Sequence, residues 1–98
     1  MILEIASFMV KAGQETEFEN AFGKVISRYL EAKGCEGMEL RRSIETPGRY
    51  YIFVKWATLE NHTVDFPASD LAKEIGPPLM AFFDGPATAE HSSLVHKA

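Results

Sequence analysis

The chain has 98 residues, 46% hydrophobic and 24% charged, ordinary globular values that argue against disorder and predict one domain over residues 1–98. Lys and Arg number 10 against 14 Asp and Glu, a formal charge of −4, and the densest basic cluster is Arg41-Arg42, so no nucleic-acid partner is expected. No apolar run approaches the roughly 20 residues of a membrane span, the opening MILEIASFMV lacks a basic leader and a cleavage site, and lone Cys35 has no disulfide partner; a cytoplasmic protein with no membrane partner is expected.

Residues 2–10 are predicted as a strand rich in Ile, Phe, Met and Val, interrupted by Glu4 and Ser7. Lys11-Ala12-Gly13 then turns the chain into a helix from about Gln14 to Ala32. Its stripe of Phe18, Phe22, Val25, Ile26 and Tyr29 recurs at helical spacing. Burying each such side chain stabilises the fold by roughly 1.5–3 kcal/mol, so this stripe should anchor the core. Glu15 and Glu17 suit the positive N-terminal end of the helix dipole, Arg28 and Lys33 the negative end, and Gly34 is placed to end the helix.

Residues 37–45 alternate as a strand, with Met38, Leu40 and Ile44 on one side and Glu39, Arg41, Ser43 and Glu45 on the other. Arg42 breaks the apolar side, and an interstrand ion pair with Glu4 is expected ahead of a ligand anion. Arg49 to Ala57 has the aromatic and β-branched composition of a central strand. Thr46-Pro47-Gly48 between them is turn chemistry, which makes a hairpin.

Thr58 is predicted to cap a helical segment beginning Leu59-Glu60-Asn61-His62. Pro67 should interrupt it, and helix should resume over Ser69 to Ile75 and stop at Gly76-Pro77-Pro78. Leu79 to Phe83 reads as a short apolar turn, Asp84-Gly85-Pro86 as a second turn and Ala87 to Val95 as the last strand. The order β-α-β-β-α-β is the ferredoxin-like split unit, an α+β fold with a four-stranded antiparallel sheet and helices on one face. Such a sheet leaves its other face open. The apolar residues on both sides of the third strand predict a homodimer.

Several segments together resemble the antibiotic-biosynthesis-monooxygenase-like domains over nearly the whole chain. They are Glu36-Gly37-Met38-Glu39-Leu40, Tyr51-Ile52-Phe53-Val54-Lys55-Trp56, the run Ala57 to Phe66 that follows, and Ala89-Glu90-His91. The more specific part is the tryptophan that closes strand three, followed by a capped helix carrying a histidine. The resemblance implies a dimeric α/β barrel with a pocket between sheet and helices. It does not imply one reaction. Some members oxygenate anthrones or quinols without metal or flavin, the substrate anion itself reducing oxygen, and fold alone does not fix function. The haem-degrading branch fits poorly, since residues 2–10 contain no Asn, Trp56 is the only tryptophan and His62 comes too early.

His62 is a candidate general base, because imidazole titrates near neutral pH, and His91 is a second; each could instead be a satisfied structural histidine. Trp56 is a candidate platform for a planar substrate, against the alternative of a core tryptophan. Asn61 is a candidate donor to a substrate carbonyl, and Tyr51 a candidate pocket residue. Cys35 lacks a nearby base and reads as a packing residue. The histidines at 62, 91 and 96 have no metal-ligand spacing, so neither metal nor cofactor is expected. Two readings stand: a cofactor-independent monooxygenase acting on a small aromatic, anthrone or quinol-like substrate, and a non-catalytic small-molecule-binding homodimer on the same scaffold. The first requires His62, His91 and Trp56 to meet around one cavity.

Overall fold

The computed structural model describes residues 1–98. Four strands, β1 (Ile2–Met9), β2 (Cys35–Arg42), β3 (Arg49–Trp56) and β4 (Thr88–Ser93), form one antiparallel sheet in the order β2-β3-β1-β4. The strand register fixes two faces, because side chains alternate along each strand. Glu4, Ala6, Phe8, Tyr50, Val54 and Trp56 are buried on the face that the helices cover. Leu3, Ile5, Met9, Tyr51 and Phe53 are half-buried on the other, with Lys55 exposed among them.

The first helix begins where the hydrophobic period predicts, but its α-helical part, α1 (Glu15–Val25), ends well before Ala32. A 3₁₀ segment over Ile26–Glu31 continues it. The β-branched pair Val25-Ile26 crowds an α-helical turn. The 3₁₀ geometry also brings Tyr29 into stacking contact with both Phe22 and Phe66, with ring centroids 6.0 and 5.8 Å apart. Phe18 and Phe22 are fully buried in the main core with Phe8, Val10, Tyr50 and Leu79, and Val25, Ile26 and Tyr29 pack against its margin.

Past the sheet the chain runs through a π-helical turn (Asn61–Asp65), a one-turn α2 (Phe66–Ala68) and α3 (Asp70–Met80). Pro67 sits inside α2; the break comes at Ser69, whose extended backbone and hydroxyl, accepting from the Ala72 N–H at 3.2 Å, cap α3. Against expectation, α3 continues through Gly76-Pro77-Pro78. Gly76 has no Cβ to clash with the ring of Pro77, the two prolines face solvent, and Ile75 and Leu79, one turn apart, are buried. Burial of that pair outweighs the helical hydrogen bonds the prolines cannot donate.

Three smaller expectations also change. β2 stops at Arg42, so Ile44 lies beyond the sheet and is 94% exposed. β4 is shorter than predicted, leaving Leu94 and Val95 exposed. Arg42 pairs with Glu19 of α1 at 3.1 Å and not with Glu4, because the register sets it beside Tyr50, whose hydroxyl donates to the same Glu19 oxygen at 2.5 Å.

Candidate active site

Glu4 lies in phase with Ala6, Phe8 and Val10, a carboxylate in a line of buried apolar side chains and itself only 8% exposed. A buried charge needs donors. The Trp56 indole N–H donates to Glu4 Oε1 at 2.9 Å, and His62 Nε2 lies 3.3 Å from the same oxygen. His91 stands directly across from Glu4 in the β1–β4 register, so it shares the helix-covered face. Its Nε2 lies 2.7 Å from His62 Nδ1. Glu4, His62 and His91 therefore form one hydrogen-bonded line, with Trp56 bracing its inner end.

The fold delivers these groups from four places. Trp56 closes β3, Glu4 enters from β1, His91 from the edge strand β4, and His62 from the π-helical turn. A five-residue hydrogen bond, Phe66 N–H to Asn61 O, characterises that turn. The His62 ring stacks on the Trp56 indole at 5.4 Å between centroids and 15° between planes. Phe66 tilts against the tryptophan as well, and Tyr29 stacks on Phe66. Aromatic rings thus exclude water from the inner end of the line.

This setting shifts the nearby ionisable groups. Burial lowers the pKa of His62; the Glu4 carboxylate opposes that shift and His91 adds to it. Its ring is therefore held neutral near physiological pH. Burial, reinforced by the Glu4 charge, pushes the Tyr29 phenol up to about 12. Burial also raises the Cys35 thiol; a backbone hydrogen bond with Gly37 opposes this, and Glu4 and Glu36 add to it.

Of the residues singled out from sequence, the fold gathers His62, His91 and Trp56. Asn61 is adjacent but committed elsewhere. Its Oδ1 accepts from the Thr58 N–H at 3.0 Å, its backbone N–H donates to Thr58 Oγ1 at 3.3 Å, and its Nδ2 donates to Asp65. This is a reciprocal capping box with Asn in the usual Glu or Gln position, and it buries the side chain. Tyr51 lies on the opposite face of the sheet beside Phe53, an odd number of residues from Trp56. Glu4 is the residue that sequence reasoning left out of the site, although a charge in phase with a buried stripe was the signal that could have found it.

The three side chains do not converge on a metal position: Glu4 and His91 approach opposite nitrogens of His62. Nor do His62, His91 and Trp56 line any of the five surface clefts. One of these, about 380 Å³, lies on the open sheet face between Leu3, Glu39, Phe53 and Lys55. The cluster meets solvent at its His91 end. His91 Nδ1 has no hydrogen-bond partner, and no buried side-chain nitrogen or oxygen is unpartnered, so that atom is solvent-accessible.

A four-stranded antiparallel sheet with helices on one face and a carboxylate–histidine line beneath them is an α+β ferredoxin-like domain with a candidate acid–base site. The chain belongs to the antibiotic biosynthesis monooxygenase family, whose model matches residues 1–74. It is 34% identical over 91 residues to the uncharacterized protein YczJ of Bacillus subtilis (strain 168), covering 93% of this chain and 96% of that one. Among solved structures it is similar to a candidate antibiotic biosynthesis monooxygenase of Bordetella bronchiseptica, at 38% identity and TM-score 0.91 over 97% of both chains. A point mutant of SnoaB of Streptomyces nogalater, a cofactor-independent oxygenase, superposes with TM-score 0.79 over 98% of this chain and 94% of its own. At 14% identity that likeness shows the fold alone. No helix is long and apolar enough to cross a membrane.

Proposed function

We propose that the protein is a cofactor-independent monooxygenase acting on a small aromatic substrate with an acidic proton, of the anthrone or quinol type. The observation that carries this reading is the line Glu4–His62–His91, an orienting carboxylate behind a histidine pair whose outer end reaches solvent. Such a line can take a proton from a substrate carbon or hydroxyl, leaving an electron-rich anion that transfers an electron to O₂. The radicals recombine to a peroxide. Cleavage of its O–O bond puts one oxygen atom on the substrate as a carbonyl and releases the other as water, with the proton returned from the histidines. Membership in the monooxygenase family and the 38% identity to the Bordetella bronchiseptica protein support the reading. Trp56, fully buried under His62, acts through His62 in this scheme and not as a stacking platform.

The working form is a homodimer closed over the open sheet face, with a small molecule as the other partner. One observation favours a second reading, a non-catalytic ligand-binding homodimer: the surface clefts lie away from the histidines. Oxygen consumption by chelator-treated protein with a panel of anthrones and quinols distinguishes the two. The oxygenase reading expects turnover that falls as pH drops through the lowered pKa of His62, whose protonation removes the acceptor for His91, and a loss of about 10²–10⁴-fold in His91→Ala. Binding of panel compounds with no oxygen uptake would instead establish the second reading.

A further inference from the structure

We infer that Glu4 sets the tautomers of both histidines, so that the proton-accepting atom of this site is His91 Nδ1, with His62 and Glu4 as positioning residues. The inference rests on the acid–base reading above and assigns the atoms within it.

As a carboxylate Glu4 can only accept hydrogen bonds. Its Oε1 already takes the Trp56 N–H, and His62 Nε2 is the second group within reach. A lone pair on Nε2 would face the carboxylate across 3.3 Å and repel it, so the proton of neutral His62 belongs on Nε2. His62 Nδ1 then carries a lone pair. The 2.7 Å contact to His91 Nε2 needs one proton between the two atoms, and only His91 can supply it. His91 is therefore also protonated at Nε2, and its lone pair lies on the solvent-accessible Nδ1. The order of protons is dictated from the buried end of the line outward.

The surroundings do not upset this order. The titratable groups that face the line are Glu4 from β1, Tyr29 from the 3₁₀ segment and Cys35 from β2. Burial keeps the phenol and the thiol in their neutral forms. On the π-helical turn, Asp65 is engaged by Asn61 and by Lys33 at 3.7 Å. Burial keeps His62 neutral as well, which is the form that can accept from His91.

The test is ¹⁵N NMR of histidine-labelled, chelator-treated protein, with no substrate required. At pH 7.5 both rings should show a protonated Nε2 and a pyridine-like Nδ1. Glu4→Gln should keep both tautomers, since the amide oxygen can accept the same two bonds. Glu4→Leu should leave each ring a mixture. A proton on His62 Nδ1 or on His91 Nδ1 in the wild type, or a Glu4→Leu spectrum identical to wild type, overturns the inference. The wild-type spectra decide it even if Glu4→Leu does not fold. Because the readout is independent of turnover, absence of oxygenase activity would count against the proposed function while leaving these proton positions to be judged by the spectra.

Discussion

Glu4 is a charged side chain at a position where the strand pattern calls for an apolar one. Holding it there takes a tryptophan N–H, a histidine ring and a cover of aromatic rings. The same cover disfavours the charged form of His62, and this has a consequence for stability. The pKa of His62 is lower in the folded protein than in the unfolded chain, where it is near 6.5. The unfolded state therefore binds the proton more readily, and stability rises with pH across the interval between the two values. This contribution is fully present above pH ~6.5 and is lost as pH falls through the folded value. Urea midpoints measured between pH 7.5 and 5 should fall in the wild type and fall less in His62→Gln. Equal slopes in the two proteins would mean that His62 is not the titrating group.

At the scale of elements, the π-helical turn aims His62, and a single junction holds that turn. Thr58 and Asn61 cap each other at its start, and Gly34, with φ +78°, lies against the Asn61 side chain just before β2. A Cβ at Gly34 would occupy the space of the Asn61 carboxamide, and the left-handed backbone there disfavours any side chain. Gly34→Ala should cost about 1–2 kcal/mol from the backbone alone, and more from the displaced cap, read as a lower urea midpoint. It should also disturb the ¹⁵N signals of the His62 ring. An unchanged midpoint would show that the junction yields without cost. The sequence indicated Thr58 as a cap and Gly34 as a stop. It did not indicate that both close on Asn61, because Gly34 is far from Thr58 and Asn61 in the chain and meets them only when β2 and β3 pair.

For the whole molecule the outstanding demand is the second face of the sheet. Leu3, Ile5, Met9, Tyr51 and Phe53 form a half-buried apolar surface with no helix over it. A patch of that kind marks an interface, and a second copy covering it is the arrangement proposed above. Light scattering at micromolar concentration should report a dimer for the wild type and a monomer for Phe53→Glu, which sets a charge at the centre of the face. A monomeric wild type would remove the dimer from the proposal.

The α+β order, the Phe18–Phe22 core stripe and the Thr58 cap were legible in the amino-acid order alone. Each of these follows from periodicity or local chemistry, which act over a few residues. That Glu4 belongs with His62, His91 and Trp56, that Arg42 turns to Glu19, and that α3 runs through two prolines was settled by packing between distant elements. Those outcomes depend on β1 pairing with β4 and on helices docking over one face, where burial and pairing of distant groups outweigh local preference.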